Sequence, residues 1–175
     1  MKIIGIDPGY AILGWGIVKY ENYKFVALDY GAILTSSEMK FSRRLTKIYE
    51  SLKNVLKIHK PEYMSIEKLF FSSNKKTAID VAQARGVILL AAQRLGVSVF
   101  EYAPVEVKKA ISGYGRATKN QVISMVQLIL NLKSIPKPDD VADALALAVA
   151  HAHCSFSRLF NSKENLWYIA LKGFC

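Results

Sequence analysis

Cysteine is nearly absent: Cys154 and Cys175 are the only two, both near the C-terminus and without metal-ligand spacing. That excludes a disulfide framework and a zinc ribbon, and it agrees with a reducing, cytoplasmic setting. Long apolar runs are missing too. The longest, Ala144 to Ala150, falls far short of the roughly 18 residues that suggest a membrane span, and Asp7 interrupts the N-terminal apolar stretch before it reaches the length of an export signal. Neither a membrane partner nor export is expected. Acidic residues are few, 14 against 24 lysines and arginines, for a formal net charge of +10. A surplus that large is displayed on the surface, where its natural partner is a polyanion. Internal repeats and low-complexity segments are absent.

With 175 residues and 51% hydrophobic content, the chain is long enough for one core and one domain. The positive charge is localised. Between Lys40 and Lys60 there are seven basic residues and one acid, Glu50; between Pro104 and Lys133 there are five basic residues and one acid, Glu106. The segments Lys2 to Ile6, Gly14 to Tyr20 and Lys24 to Leu34 read as strands of an antiparallel meander, being rich in β-branched and aromatic residues. Phe41 to Ile58 carries Leu45, Ile48, Tyr49, Leu52, Val55 and Leu56 at helical spacing, with a basic outer face. Pro61 ends it, and Tyr63 to Ile66 forms a fourth strand delivering Glu67 at its end. A helix from Thr77 to Leu95 stops at Gly96, Val97 to Tyr102 is a fifth strand, Pro104 and Thr118 open two helices, and a last helix runs from about Pro138 to Phe156. The expected fold is α/β, a mixed five-stranded sheet flanked by helices, over residues 1–156, with a C-terminal tail over 157–175 of unassigned role.

Three acidic positions converge in this scheme. Asp7 sits where the first strand runs out, before Pro8 and Gly9; by itself it reads as a turn former. If the first and fourth strands are neighbours, Glu67 leaves the sheet at the same end, and two unpaired buried carboxylates cost several kcal/mol unless something positive neutralises them. The run Asp139-Asp140-Val141-Ala142-Asp143 opens the last helix. One acid there caps the helix or complements its dipole, but three exceed that need. Asp140 with Asp143 and Asp139 with Asp143 both share a helix face, so spacing leaves the pair open; Asp139 is assigned to the cap and the other two to the site. Hard oxygen donors without His or Cys favour Mg²⁺, with Mn²⁺ able to substitute. Two such ions support in-line phosphodiester displacement.

The segments Ile4-Gly5-Ile6-Asp7-Pro8-Gly9, Gly14-Trp15-Gly16, Ile66-Glu67, Gln83-Ala84-Arg85-Gly86, Gly113-Tyr114-Gly115 with Lys119 to Val122, and Asp140-Val141-Ala142-Asp143 together resemble the RuvC family of Holliday-junction resolvases, in order from Met1 to about His153. The resemblance implies an RNase H-like fold, a homodimer, and paired symmetrical nicks in four-way junction DNA during recombination and repair. It implies RuvA and RuvB as branch-migration partners. It places Asp7, Glu67, Asp140 and Asp143 on the metal-binding acids, and so selects Asp140 over Asp139. Lys108 and Lys119 align with basic residues, Lys119 also with a role in catalysis. Phe70 aligns with an aromatic wedge, although Phe71 beside it leaves the choice open, and Lys75 or Lys76 and Arg85 are candidates for DNA-backbone contact. The small residues of the Thr77 to Leu95 helix form either a dimer seam or ordinary core. His151 and His153, two apart on one helix, read as structural or surface residues.

Three other readings remain at this stage: a nucleotide-binding domain of the ATPase type, which ordinarily needs a second similar domain; a non-catalytic DNA-binding protein; and another RNase H-like nuclease.

Overall fold

The computed structural model describes the backbone of residues 1–69 and 75–172 and the side chains of residues 1–69 and 78–155. The expectations for the side chains of Phe70, Phe71, Lys75 and Lys76 lie outside the described residues. Strands β1 (Lys2–Asp7), β2 (Ile12–Glu21) and β3 (Lys24–Leu34) form the meander. Helix α1 (Phe41–His59) then leads to β4 (Tyr63–Glu67), α2 (Lys75–Arg94) to β5 (Ser98–Tyr102), and α3 (Pro104–Ser112), α4 (Lys119–Ile129) and α5 (Asp139–Lys172) follow. The sheet order is β3-β2-β1-β4-β5. β1 pairs antiparallel with β2 and parallel with β4, which in turn pairs parallel with β5. This is the mixed five-stranded α/β sheet expected.

Strand parity sorts the two faces. Ile4, Ile6, Met64 and Ile66 point to one side, where they pack with Ile48, Leu52 and Leu56 of α1 and Ala84, Ile88, Ala91 and Ala92 of α2. Their sequence neighbours Gly5, Asp7, Ser65 and Glu67 therefore belong to the other side, which α5 covers. α3 and α4 pack against the outer side of α5, through Val107, Ile111, Val122 and Val126. From Val141 to Ala150 every residue of α5 except Asp143 is buried.

α5 lies unusually close to the sheet because glycines let it. A methyl on Gly5 would strike the carbonyl oxygen of Ala144, one on Gly14 the carbonyl oxygen of Asp140, and one on Gly16 the side chain of Leu145. The hydroxyl of Ser65, fully buried, donates to the Leu147 carbonyl over 2.7 Å and ties β4 to the same helix. His151 is buried rather than at the surface, its Nδ1 2.8 Å from the Tyr102 hydroxyl.

Two expectations change. α5 continues past Phe156 to Lys172, and residues 157–172 contain neither glycine nor proline to stop it. Asp139 is the first residue of α5 rather than its cap; its carboxylate accepts from the Lys137 ammonium at 2.8 Å, which a cap facing the helix amides would not do.

Gly5→Ala should lower unfolding stability by at least about 2 kcal/mol, since backbone rather than a flexible side chain must yield. Urea titration measures it, and an unchanged midpoint would show that α5 is not held this tightly.

Candidate active site

Register brings the acids together. Ile6 of β1 pairs with Ile66 of β4, so Asp7 and Glu67 each follow the last paired residue and leave the sheet at the same end. Asp7 is also opposite Gly14, the residue on which the backbone of Asp140 rests. Asp143, one turn further along α5, faces the same end. Four carboxylates from three elements thus share the edge of the sheet.

Their electrostatics follow from the proximity. Burial pushes the Asp7 carboxyl up to about 7, helped by the charges of Asp143, Glu67 and Asp140 and opposed by Lys119. Burial likewise raises Glu67, again with Asp143 adding and Lys119 opposing. The group that answers this negative field is Lys119. Its ammonium lies 2.9 Å from Asp143 Oδ2 and 3.8 Å from Asp139 Oδ2, and the hydrogen bond to Asp143 raises its pKa. Lys119 is the first residue of α4, behind a capping box in which Thr118 and Gln121 satisfy one another's backbone amides. A cation at a helix N-terminus opposes the dipole, so this placement is sustained by the acids in front of it.

Beside the acids opens a cleft lined by Glu67, Asp143, Lys108 and Lys119, with Val107 and Leu147 among its apolar lining. Lys108 thus joins the acids. Arg85 does not: its Nη2 lies 2.6 Å from Glu101 Oε1 and its side chain is largely buried, so its guanidinium turns to β5 rather than outward to a strand. Of the helix α2 residues, Ala84, Ala91 and Ala92 face the core, whereas Ile79, Gln83, Gly86 and Leu90 form an exposed stripe. The residues considered for a dimer seam, Ala78, Val81, Ala82, Ala84, Leu89, Ala91 and Ala92, are buried or half-buried, and the exposed stripe is made of others. Ser65 was not singled out from the sequence, although a polar residue on the Glu67 face of an apolar strand is the signal that marks it.

A model of the family described as crossover junction endodeoxyribonuclease RuvC matches residues 3–151. The chain belongs to the RuvC family. The RuvC of Ruminiclostridium cellulolyticum is 55% identical over 153 residues, 87% of this chain and 92% of that one. The RuvC of Caldanaerobacter subterraneus is 48% identical over 168 residues, 96% and 99%. The structure of Thermus thermophilus RuvC in complex with Holliday junction substrate superposes with a TM-score of 0.82 at 36% identity, covering 91% of this chain and 96% of that one. The chain is accordingly an endodeoxyribonuclease with the RNase H-like fold, of a family whose activity depends on divalent metal. Among its described residues no helix is long and apolar enough to cross a membrane.

The donor set fits such a metal. Carboxylate oxygens are hard ligands, and burial together with negative neighbours raises the pKa of Asp7 and Glu67, a field that a cation would relieve. Among the described residues no three potential ligands are already drawn together at metal spacing, as expected of anions that repel one another and of an Asp143 oxygen turned to Lys119.

The raised value of Asp7 fixes a pH dependence. Its folded-state value lies above the ordinary one, so its contribution to stability is complete below roughly pH 4 and is lost as pH rises through about 7. With chelator present, Asp7→Asn should melt higher than the wild type at pH 8 and lose that advantage at pH 4.5. Thermal melts at both values check this; an equal difference at each would contradict it.

Proposed function

We propose that this chain resolves four-way DNA junctions by paired, symmetrical, metal-dependent nicks, in the service of recombination and repair. Asp7, Glu67, Asp140 and Asp143 hold two Mg²⁺ ions, with Mn²⁺ able to replace them. The observation that carries this reading is the convergence of the four acids on one sheet edge beside a lysine-lined cleft, in a chain whose 36%-identical relative was solved with a Holliday junction. The bound ions would supply an activated water and neutralise charge at the scissile phosphate. The protein side chains do the rest. Glu67 and Asp7, projecting from adjacent strands, set the spacing of the donors. Asp140 and Asp143 are carried on a helix that the sheet holds rigidly. Lys119 gives up Asp143 and faces the negative charge that develops as the phosphodiester breaks. Lys108, which lines the same cleft as Glu67, holds the strand by a neighbouring phosphate.

The nuclease occupies residues 1–156. Phe70 or Phe71 is assigned as the wedge that stacks at the opened junction centre, and Lys75 and Lys76 as backbone contacts beside it. Pairing of nicks requires two sites related by the junction's own approximate two-fold axis, hence a homodimer. Its seam is the exposed α2 stripe of Ile79, Gln83, Gly86 and Leu90, in which two apolar side chains flank a glycine with open space above it. RuvA and RuvB are the partners that deliver the junction.

Wild type should nick a mobile four-way junction in Mg²⁺ and not in chelator, leaving a plain duplex and an RNA–DNA hybrid intact. Asp7→Asn should bind the junction but lose cleavage by about 10³-fold or more, the scale of removing one group from a preorganised site. Gel cleavage and band-shift assays decide it; cutting by Asp7→Asn, or equal cutting of all three substrates, would defeat the reading. Leu90→Glu should sediment as a folded monomer that nicks only one strand at a time, and a dimeric Leu90→Glu would remove α2 from the seam.

A further inference from the structure

The acid cluster has basic groups on both sides, but only one side is explained by Lys108 and Lys119. On the other side lies the N-terminal end of α1. α1 begins after β3, whose C-terminal end lies beside the start of β2, so its first turn is at the same end of the sheet as Asp7 and Glu67. Lys40, Arg43 and Lys47 are exposed there. Arg44 differs from them because it is held. Its Nε donates to Thr35 Oγ1 over 2.8 Å, and its guanidinium carbon lies 4.7 Å from the centre of the Tyr10 ring. Thr35 is in turn fixed, its hydroxyl donating to the Tyr10 carbonyl at 2.6 Å and its amide to that of Ala11 at 2.9 Å. Phe41 packs edge-on against the same Tyr10 ring.

Among the described residues no carboxylate pairs with Arg44, and neither of its terminal nitrogens is a buried group lacking a partner. The two Nη groups therefore meet solvent with the plane of the fork already set. A guanidinium stacked on an aromatic ring and anchored through Nε keeps the pair of donors that matches two phosphate oxygens, and holding it still in advance lowers the entropy lost on binding. Tyr10 is three residues beyond Asp7, which limits the separation of their Cα atoms to about 11 Å. A strand lying across the carboxylates passes within a few nucleotides of this fork.

We propose that Arg44 is a pre-oriented phosphate-binding residue, gripping the DNA backbone on the β1–β2 loop side of the active site, opposite Lys108 and Lys119. The assignment rests on the junction-cutting reading and extends the DNA surface to a third element of the fold. A strand held on both flanks is kept from pivoting about the cleft.

The test is the affinity of a fluorescent four-way junction for the full-length protein, in chelator so that nothing is cut, measured across a series of salt concentrations. Arg44→Gln should weaken binding about tenfold and reduce the slope of log affinity against log salt by about one unit, the loss of one phosphate contact. Arg44→Lys should keep most of the slope while losing affinity, because an ammonium is a point charge and not a fork. Lys57→Gln, in the last turn of α1 at the opposite end of the sheet, should behave as wild type. Wild-type slope and affinity in Arg44→Gln would overturn the assignment. So would a lowered melting temperature with an unchanged slope, which would make Arg44 a brace for the Tyr10 loop alone. Failure of the wild type to bind the junction would instead overturn the functional reading on which the assignment rests.

Discussion

The closeness of α5 to the sheet is the constraint from which the site follows. At Gly5, Gly14 and Gly16 the helix rests on bare strand backbone, and Ser65 adds a buried hydrogen bond to Leu147 from a third strand. A side chain at any of the glycines would lift the helix by the thickness of a methyl or more. Two of the four acids ride on α5 and two on the strands beneath it, so that lift would part Asp140 and Asp143 from Asp7 and Glu67. Packing that would be a detail of the core elsewhere is here the alignment of the chemistry, which agrees with the need to hold reacting groups to within a fraction of an ångström.

The arrangement is costly in the fold itself. Carboxyls crowded at the edge of an apolar core repel one another and resist ionisation, as the raised values of Asp7 and Glu67 show. A protein selected for stability alone would replace at least one of them. Lys119 reduces the cost without removing it, for one ammonium faces four acids and is placed against the helix dipole of α4. Such a balance is suited to exchange: on the proposed reading a divalent cation would compete for Asp143, and the Lys119 ammonium would be left at the cleft it lines.

Much of this was legible in the sequence because parity and periodicity are local. The β-branched run Lys2 to Ile6 marked β1 with Asp7 at its end, the three-and-four spacing from Leu45 to Leu56 defined α1, and Pro104, Thr118 and Gly96 marked helix ends within a residue or two. The resemblance chose between Asp139 and Asp140 where spacing left the pair open. What was not legible depended on partners distant in the chain. Arg85 reads as a DNA contact until Glu101 of β5 is found against it. Asp139 reads as a cap until Lys137 and Lys119 are seen to claim it. The alanines of α2 look alike until burial divides them, and Ser65 is silent without Leu147.

Charge completes the picture, because a +10 chain carrying four acids at its centre must separate the two signs in space. The acids are recessed at the edge of the sheet, and the cations stand on the elements that flank it, α1 on one side and α3 with α4 on the other. A polyanion approaching this surface is drawn by the rim and repelled by the centre. The rim can therefore hold DNA without metal, and on the proposed reading cations that meet the charge of the carboxylates would ease the seating of a phosphate over them.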